Sequence, residues 1–257
     1  MKKSFFLFCL ALSATLLQAQ GFRGRPMSES RWMEHMSATP VTGAPFSAVE
    51  TVQIQHMLAN GNQINRNVQC KVFRDSQGRM RRERTVTPPA ASGRQPFTEV
   101  TIVDPVAGFR YVLNSSNMTA FKSPLPQSPA SASAGTSPAG RAARMMPEGT
   151  QVSTTDLGTQ TINGMQATGK QVTETIPAGA IGNQQPIQVV RVVWTSTDLK
   201  VPVQVKSTDP RFGTSDRELT NIMKGEPDAS LFSVPSNYTV KTREFSPGGR
   251  ARPGREE

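Results

Sequence analysis

IQVVRVVWTSTDLKVPVQVKSTDPRFGTSDRELTNIMKGEPDASLFSVPSNYTV (187–240) is the stretch whose reading decides the fold. Val190, Val192 and Trp194 alternate with Val189, Arg191 and Val193, the period of an extended strand. Thr197-Asp198 offers a turn, and Val201, Val203 and Val205 lead back. With the turn centred there, Trp194, Val192 and Val190 are expected to oppose Val201, Val203 and Val205. Val193, Arg191 and Val189 then oppose Pro202, Gln204 and Lys206. Both strands sort into an apolar and a mixed face in that register, and a one-residue slip would destroy the agreement. Further β structure follows, and LFSVPSNYTV (231–240) reads as a closing strand.

The same alternation extends towards the N-terminus. QVSTTDLGTQTINGMQATGKQVTETI (151–176) forms two strands around Asn163-Gly164, a pair whose tolerance of positive φ suits a tight hairpin. SAVETVQIQHML (47–58) alternates around Val52 and Ile54, and INRNVQCKVF (64–73) follows the AsnGlyAsn turn at 60–62. AspSerGlnGly (75–78) suits a turn into RMRRERTV (79–86), with Gly78 free to take positive φ. FTEVTIVD (97–104), GFRYVLN (108–114) and MTAFK (118–122) complete the series. The expectation is an all-β domain in two halves, 46–122 and 151–240: about ten antiparallel strands in one curved sheet or incomplete barrel.

Between the halves, SPLPQSPASASAGTSPAGRAARMMPEGT (123–150) is dominated by Pro, Ser, Ala and Gly. Such a segment buries too little apolar surface to offset its ordering entropy, so it reads as a flexible insertion. RAARMM (141–146) is the one part suited to docking as a turn. Residues 20–45 read as a mobile arm in which SESRWMEHM (28–36) could form a short covering helix. Ser28 or Ser30 would cap it, and Trp32, Met33 and Met36 would form its apolar side. Residues 241–257 read as a disordered basic tail.

Residues 1–19 carry Lys2 and Lys3, then an apolar run from Phe5 to Leu17 and a small residue, Ala19. This is the layout of a cleavable export signal. About thirteen apolar residues are too few to cross a bilayer. The expected location is the periplasm, or the medium beyond it. Removing Lys2 and Lys3 leaves 27 basic against 19 acidic side chains, a net charge of +8. Export makes nucleic acid a poor match for that charge. Lipid headgroups, polysaccharide or peripheral membrane contact suit it better, and plain solubility is the blander reading.

The catalytic inventory is small. His35 and His56 are the only histidines, and Cys70 alone remains after cleavage. His56 falls in phase with Val52 and Ile54, as a strand histidine does. Cys70 shares a face with Ile64, Val68 and Val72 and reads as a small buried apolar residue. No ligand spacing for zinc or calcium and no phosphate-loop motif is present. The reading is a protein that is not an enzyme and uses no cofactor.

Two features bear on binding. Arg79, Arg81, Arg82 and Arg84 cluster with Lys71 and Arg74. As a strand they split, Arg79 and Arg81 to one face, Arg82 and Arg84 to the other. They form either a solvated edge that discourages aggregation or an anion site for headgroups or glycans. The strand faces Phe109, Tyr111, Leu113 and Val190, Val192, Trp194 either fill a core or line an apolar cavity.

Several of these stretches resemble the LolA/LolB lipoprotein-sorting carriers and the wider LolA-like group that includes RseB. They are VFRDSQGRMRRE (72–83), VDPVAGFRYVLNSSNMTAF (103–121), LGTQTINGMQATGK (157–170), VVRVVWTSTDLKVPVQVK (189–206) and PDASLFSVPSNYTV (227–240). The resemblance spans roughly 46–122 and 151–240. It implies a strongly curved antiparallel sheet whose concave face accepts acyl chains beneath helices and loops. The long insertion and the shortage of covering helices depart from that pattern. The expected function is therefore non-enzymatic binding of a lipid or lipoprotein acyl chain. The alternative is an RseB-like regulatory module contacting a membrane-anchored envelope protein.

Overall fold

The computed structural model describes residues 40–125 and 146–242. Twelve strands follow in chain order: β1 (Phe46–Met57), β2 (Gln63–Arg74), β3 (Met80–Val86), β4 (Phe97–Asp104), β5 (Phe109–Asn114), β6 (Thr119–Pro124), β7 (Gln151–Ile162), β8 (Met165–Ile176), β9 (Ile187–Ser196), β10 (Pro202–Asp209), β11 (Gly213–Lys224) and β12 (Thr239–Thr242). They form a single open, curved sheet in the order β12-β6-β5-β4-β3-β2-β1-β11-β10-β9-β8-β7. Two antiparallel meanders, β1–β6 and β7–β11, are joined where β1 pairs with β11. β12 then returns to the far side and runs parallel to β6. The expected signal segment, the 28–36 helix, most of the insertion and the tail from 243 onwards lie outside the described residues.

Local sequence explains the turns. The Asp75 carboxylate accepts from Gln77 N and Arg79 N at 3.1 and 2.8 Å. Gly78 closes the turn at φ 84°. A Cβ there would stand 3.1 Å from Val41 O, so glycine also lets the incoming chain lie close. Asn163 and Gly164 take φ of 48° and 78°, joining β7 to β8 with Ile162 opposite Met165.

Three expectations change. The strands number twelve rather than about ten, because 213–224 is a full strand and 239–242 a short one. LFSVPSNYTV is not a continuous strand. It is a 3₁₀ turn (Ala229–Phe232), then irregular chain, then the start of β12. Asp228 caps the turn, its side chain accepting from Ser230 N, which bends the chain where a strand would continue.

The β9–β10 register is the third. Trp194 opposes Gln204, Val193 opposes Val205 and Val192 opposes Lys206, with a bulge between Pro202 and Gln204. The connection is wider than a two-residue turn, and Lys200 sits at φ 55°. Val201 and Val203 are buried in the core with Leu199 instead of opposing Trp194 and Val192, and Val205 opposes Val193 instead of Val190.

The sheet buries apolar surface on both faces. In β1, Phe46, Ala48, Glu50 and Val52 are buried, and register carries that face to Arg74, Val72 and Cys70, then Met80 and Arg82, then Val103. The main core starts on this inner face. It continues through Leu199, Val201, Val203 and Leu219 to Met165, Ala167 and Trp194 beside the β9–β10 connection. Val100 and Ile102 alternate with Val103 and so belong to the outer face. There they cluster with Leu113 and Ala120 under Val234 and Tyr238. The chain after β11 thus straps the outer face of β4–β6. On the open ends of β1 and β2 that face is wet: Gln53, Gln55, Asn65, Asn67, Gln69 and Lys71 are exposed.

Candidate functional site

The site is built from the length of the inner face. At one end the β9–β10 connection plugs it. Leu199 and Val201 sit in the core with Phe46, and Arg74 reaches up to hold the plug. Its guanidinium donates to Ala44 O at 2.6 and 3.0 Å and to Leu199 O at 2.5 Å, over the Phe46 ring. Burial lowers the Arg74 pKa to about 10, because the charged form has lost its water. Lys224 adds a 2.5 Å pair with Asp198 in the same connection.

Midway along the face lies an ion trio. The Glu50 carboxylate is fully buried and receives Arg82 Nε at 2.7 Å and Arg217 Nη1. Arg82 comes from β3, reaching across β2, and Arg217 from β11, next to β1. Arg84 pairs with Glu99 one rung further on, at 2.9 Å. A carboxylate buried this deeply is tolerable only when both oxygens are met by charged donors.

Beyond the trio the face opens. Ile54 and His56 in β1, Val68 in β2, Val205 in β10 and Val193 in β9 are half-buried. Register places all five on the inner face: Ile54 opposes Ser215, and Arg217 opposes both Val52 and Val205. Val205 in turn opposes Val193. This trough has Arg82 and Arg217 at its deep end, and register adds Arg66, Ser215, Ser207 and Arg191 to the row at Ile54, so its lining is apolar in Ile54, Val68, Val193 and Val205 and polar beside them. It can hold an apolar chain and meet a polar or anionic head. Among the described residues no three His, Cys, Asp or Glu side chains group as metal ligands would.

The arginines singled out from the sequence are divided by the sheet. Arg79 and Arg81 lie on the outer face, the first bonded to Asp75 and stacked on Phe232, the second bonded to Glu83 and Leu231 O. Arg82 and Arg84 are on the inner face, with Glu50 and Glu99. Phe109, Tyr111 and Leu113 occur together on the outer face. Leu113 is buried, Tyr111 packs against its cluster as Val234 and Tyr238 do, and Lys122 lies 3.7 Å over the Phe109 ring. Trp194 covers Gly169, and Val192 packs against the main core beside it. Val190 shares a side of β9 with them and opposes Thr208 and Thr173. The two aromatic and aliphatic sets are not brought together.

Glu50, Arg217, Ile54, Val68, Val193 and Val205 were not put forward from the sequence as site residues. Glu50 did carry a signal. It is the one charge in phase with Phe46, Ala48 and Val52, and a charge on a buried face requires a partner.

No protein-family model matches the chain, and no curated protein matches its sequence. Solved structures are similar to it. A chain of the Pseudomonas aeruginosa MucA/MucB complex matches at 13% identity and TM-score 0.44, over 86% of this chain and 67% of that one. A LolA-superfamily protein from Nitrosomonas europaea matches at 10% identity and TM-score 0.33, over 81% and 98%. Mycobacterium tuberculosis lipoprotein LppX matches at 15% identity and TM-score 0.32, over 79% and 95%. The second of these carries the name of the LolA group that the sequence pattern resembles.

Proposed function

We propose that this is a non-enzymatic binding protein of the bacterial envelope, exported to the periplasm, which holds the acyl chain of a lipid or lipidated component. The chain lies in the open end of the inner face. One observation carries this reading. On the inner side of β1 the packed end stops at Val52 and the next residue, Ile54, is only half-buried, while Gln53, Gln55 and Met57 on the other side are exposed. Ile54 is therefore an apolar group on a sheltered face that the described residues leave partly uncovered. Val68, Val193 and Val205 extend the lining, and each acyl methylene buried there contributes roughly 0.8 kcal/mol. Arg82, Arg84 and Arg217, at the deep end, exceed Glu50 and Glu99 by one positive charge, which favours a head bearing negative charge.

The test is native mass spectrometry of protein purified from a bacterial envelope, beside displacement of a hydrophobic fluorescent probe. The expected result is a co-purified lipid, reduced by Ile54→Glu with Val68→Glu and unaffected by Gln55→Glu on the opposite face. Protein that carries no lipid and releases no probe would overturn the reading. A single dominant protein in envelope pull-downs, without lipid, would favour the regulatory-module alternative.

A further inference from the structure

The two edges of the sheet are finished differently. On one side β12 is four residues long, carries Lys241 and is laid on by the returning chain. On the other, β7 runs twelve residues and pairs only with β8 among the described residues. Every residue from Gln151 to Thr161 is exposed, including Val152 at 51% and Leu157 at 38%. Natural edges are usually blunted by lysine, proline or brevity, because a row of free N–H and C=O groups is a template for another strand. β7 has no lysine and no proline. Asp156 is its only charge, and it opposes Lys170 of β8.

We propose that β7 is a self-association surface, and that its occupant is β7 of a second copy of this chain, paired antiparallel about a two-fold axis. The strand is complementary to its own reverse. The bulge between Asp156 and Gly158 makes Leu157 an extra residue near the strand's midpoint, so the two arms of β7 are out of phase by one. When Gln151 lies beside Ile162 of the copy, that phase change falls on the axis and both arms stay matched. Val152 then faces Thr161, Ser153 faces Gln160 and Thr154 faces Thr159, each pair sharing a side of the sheet. Small and β-branched residues make such cross-strand pairs well. Asp156 faces Leu157, so no like charges are opposed directly. The seam is about 40 Å long, and a two-fold contact of this kind closes on itself instead of propagating.

Sedimentation velocity of the mature chain (residues 20–257) across a dilution series is expected to show a reversible dimer. Thr154→Lys with Thr159→Lys opposes lysines across the seam and should weaken association about tenfold or more, with far-UV circular dichroism and melting unchanged. Leu157→Cys in a Cys70→Ala background should give a disulfide-linked dimer on mild oxidation. A monomer at every concentration would overturn the proposal, as would a dimer indifferent to the lysine pair and without the disulfide cross-link at position 157.

Discussion

From Phe46 to Val52 the inner side of β1 is closed; at Ile54 and His56 it is half-open, although both stretches alternate in the same way. What differs is the cover. The packed end lies beneath Leu199 and Val201, which arrive from a strand connection remote in sequence and are tied down by Arg74 and Lys224. The open end meets no such plug among the described residues. Glu50, Arg82 and Arg217 mark the boundary between them. An alternating strand therefore specifies which side faces inward, but not whether that side is filled. Filling is decided by elements far away in the chain.

The boundary should give the largest effect. Glu50→Ala leaves two guanidinium groups, 6% and 12% exposed, without their shared carboxylate. Breaking a buried ion cluster in this way costs about 3–5 kcal/mol, measurable as a lower urea midpoint. Replacing Arg82 and Arg217 by Met in the same chain should recover most of it, since an all-apolar cluster leaves no charge stranded. Next comes the plug. Leu199→Ala, at a side chain 2% exposed, should cost about 2–5 kcal/mol. If the packed end owes its closure to this loop, probe binding there should rise as stability falls.

Gly169→Ala tests the outlying wall of the packed end. A Cβ at 169 would stand 2.5 Å from the Trp194 ring. Displacing the ring should cost about 1–3 kcal/mol. Combined with Trp194→Leu the two changes should cost less than their sum, because one removes what the other strikes.

These effects also mark what could be read from the sequence. The strands and the Asn163-Gly164 turn were legible because alternation and positive φ are local properties. The split of Arg79 and Arg81 from Arg82 and Arg84 was legible for the same reason. The β9–β10 register was not: a tight turn at Thr197-Asp198 satisfies local pairing, but Leu199 instead serves Arg74, 125 residues away. Nor was the fate of LFSVPSNYTV, whose apolar residues are drawn to an outer face that exists only once β4–β6 have paired. The trough was half legible. Val52 with Ile54, and Val68 with Cys70, could each be placed on one side of their own strand, whereas Val193 and Val205 become their neighbours only through the β1–β11 junction.

The smallest effect on stability falls at the open end, and it separates a binding surface from unfinished core. Ile54→Ser removes an apolar group that is only half-buried, so unfolding free energy should fall by about 1 kcal/mol or less. If the trough holds an acyl chain, the same change should lower the fraction of protein carrying lipid far more than a loss of fold of about 1 kcal/mol could, since nearly all the protein remains folded. Val72→Ala at the packed end should do the reverse, lowering the urea midpoint while leaving lipid occupancy in the folded protein unchanged. Parallel losses of stability and lipid at both positions would mean that the inner face is one continuous core, and would remove the trough as a site.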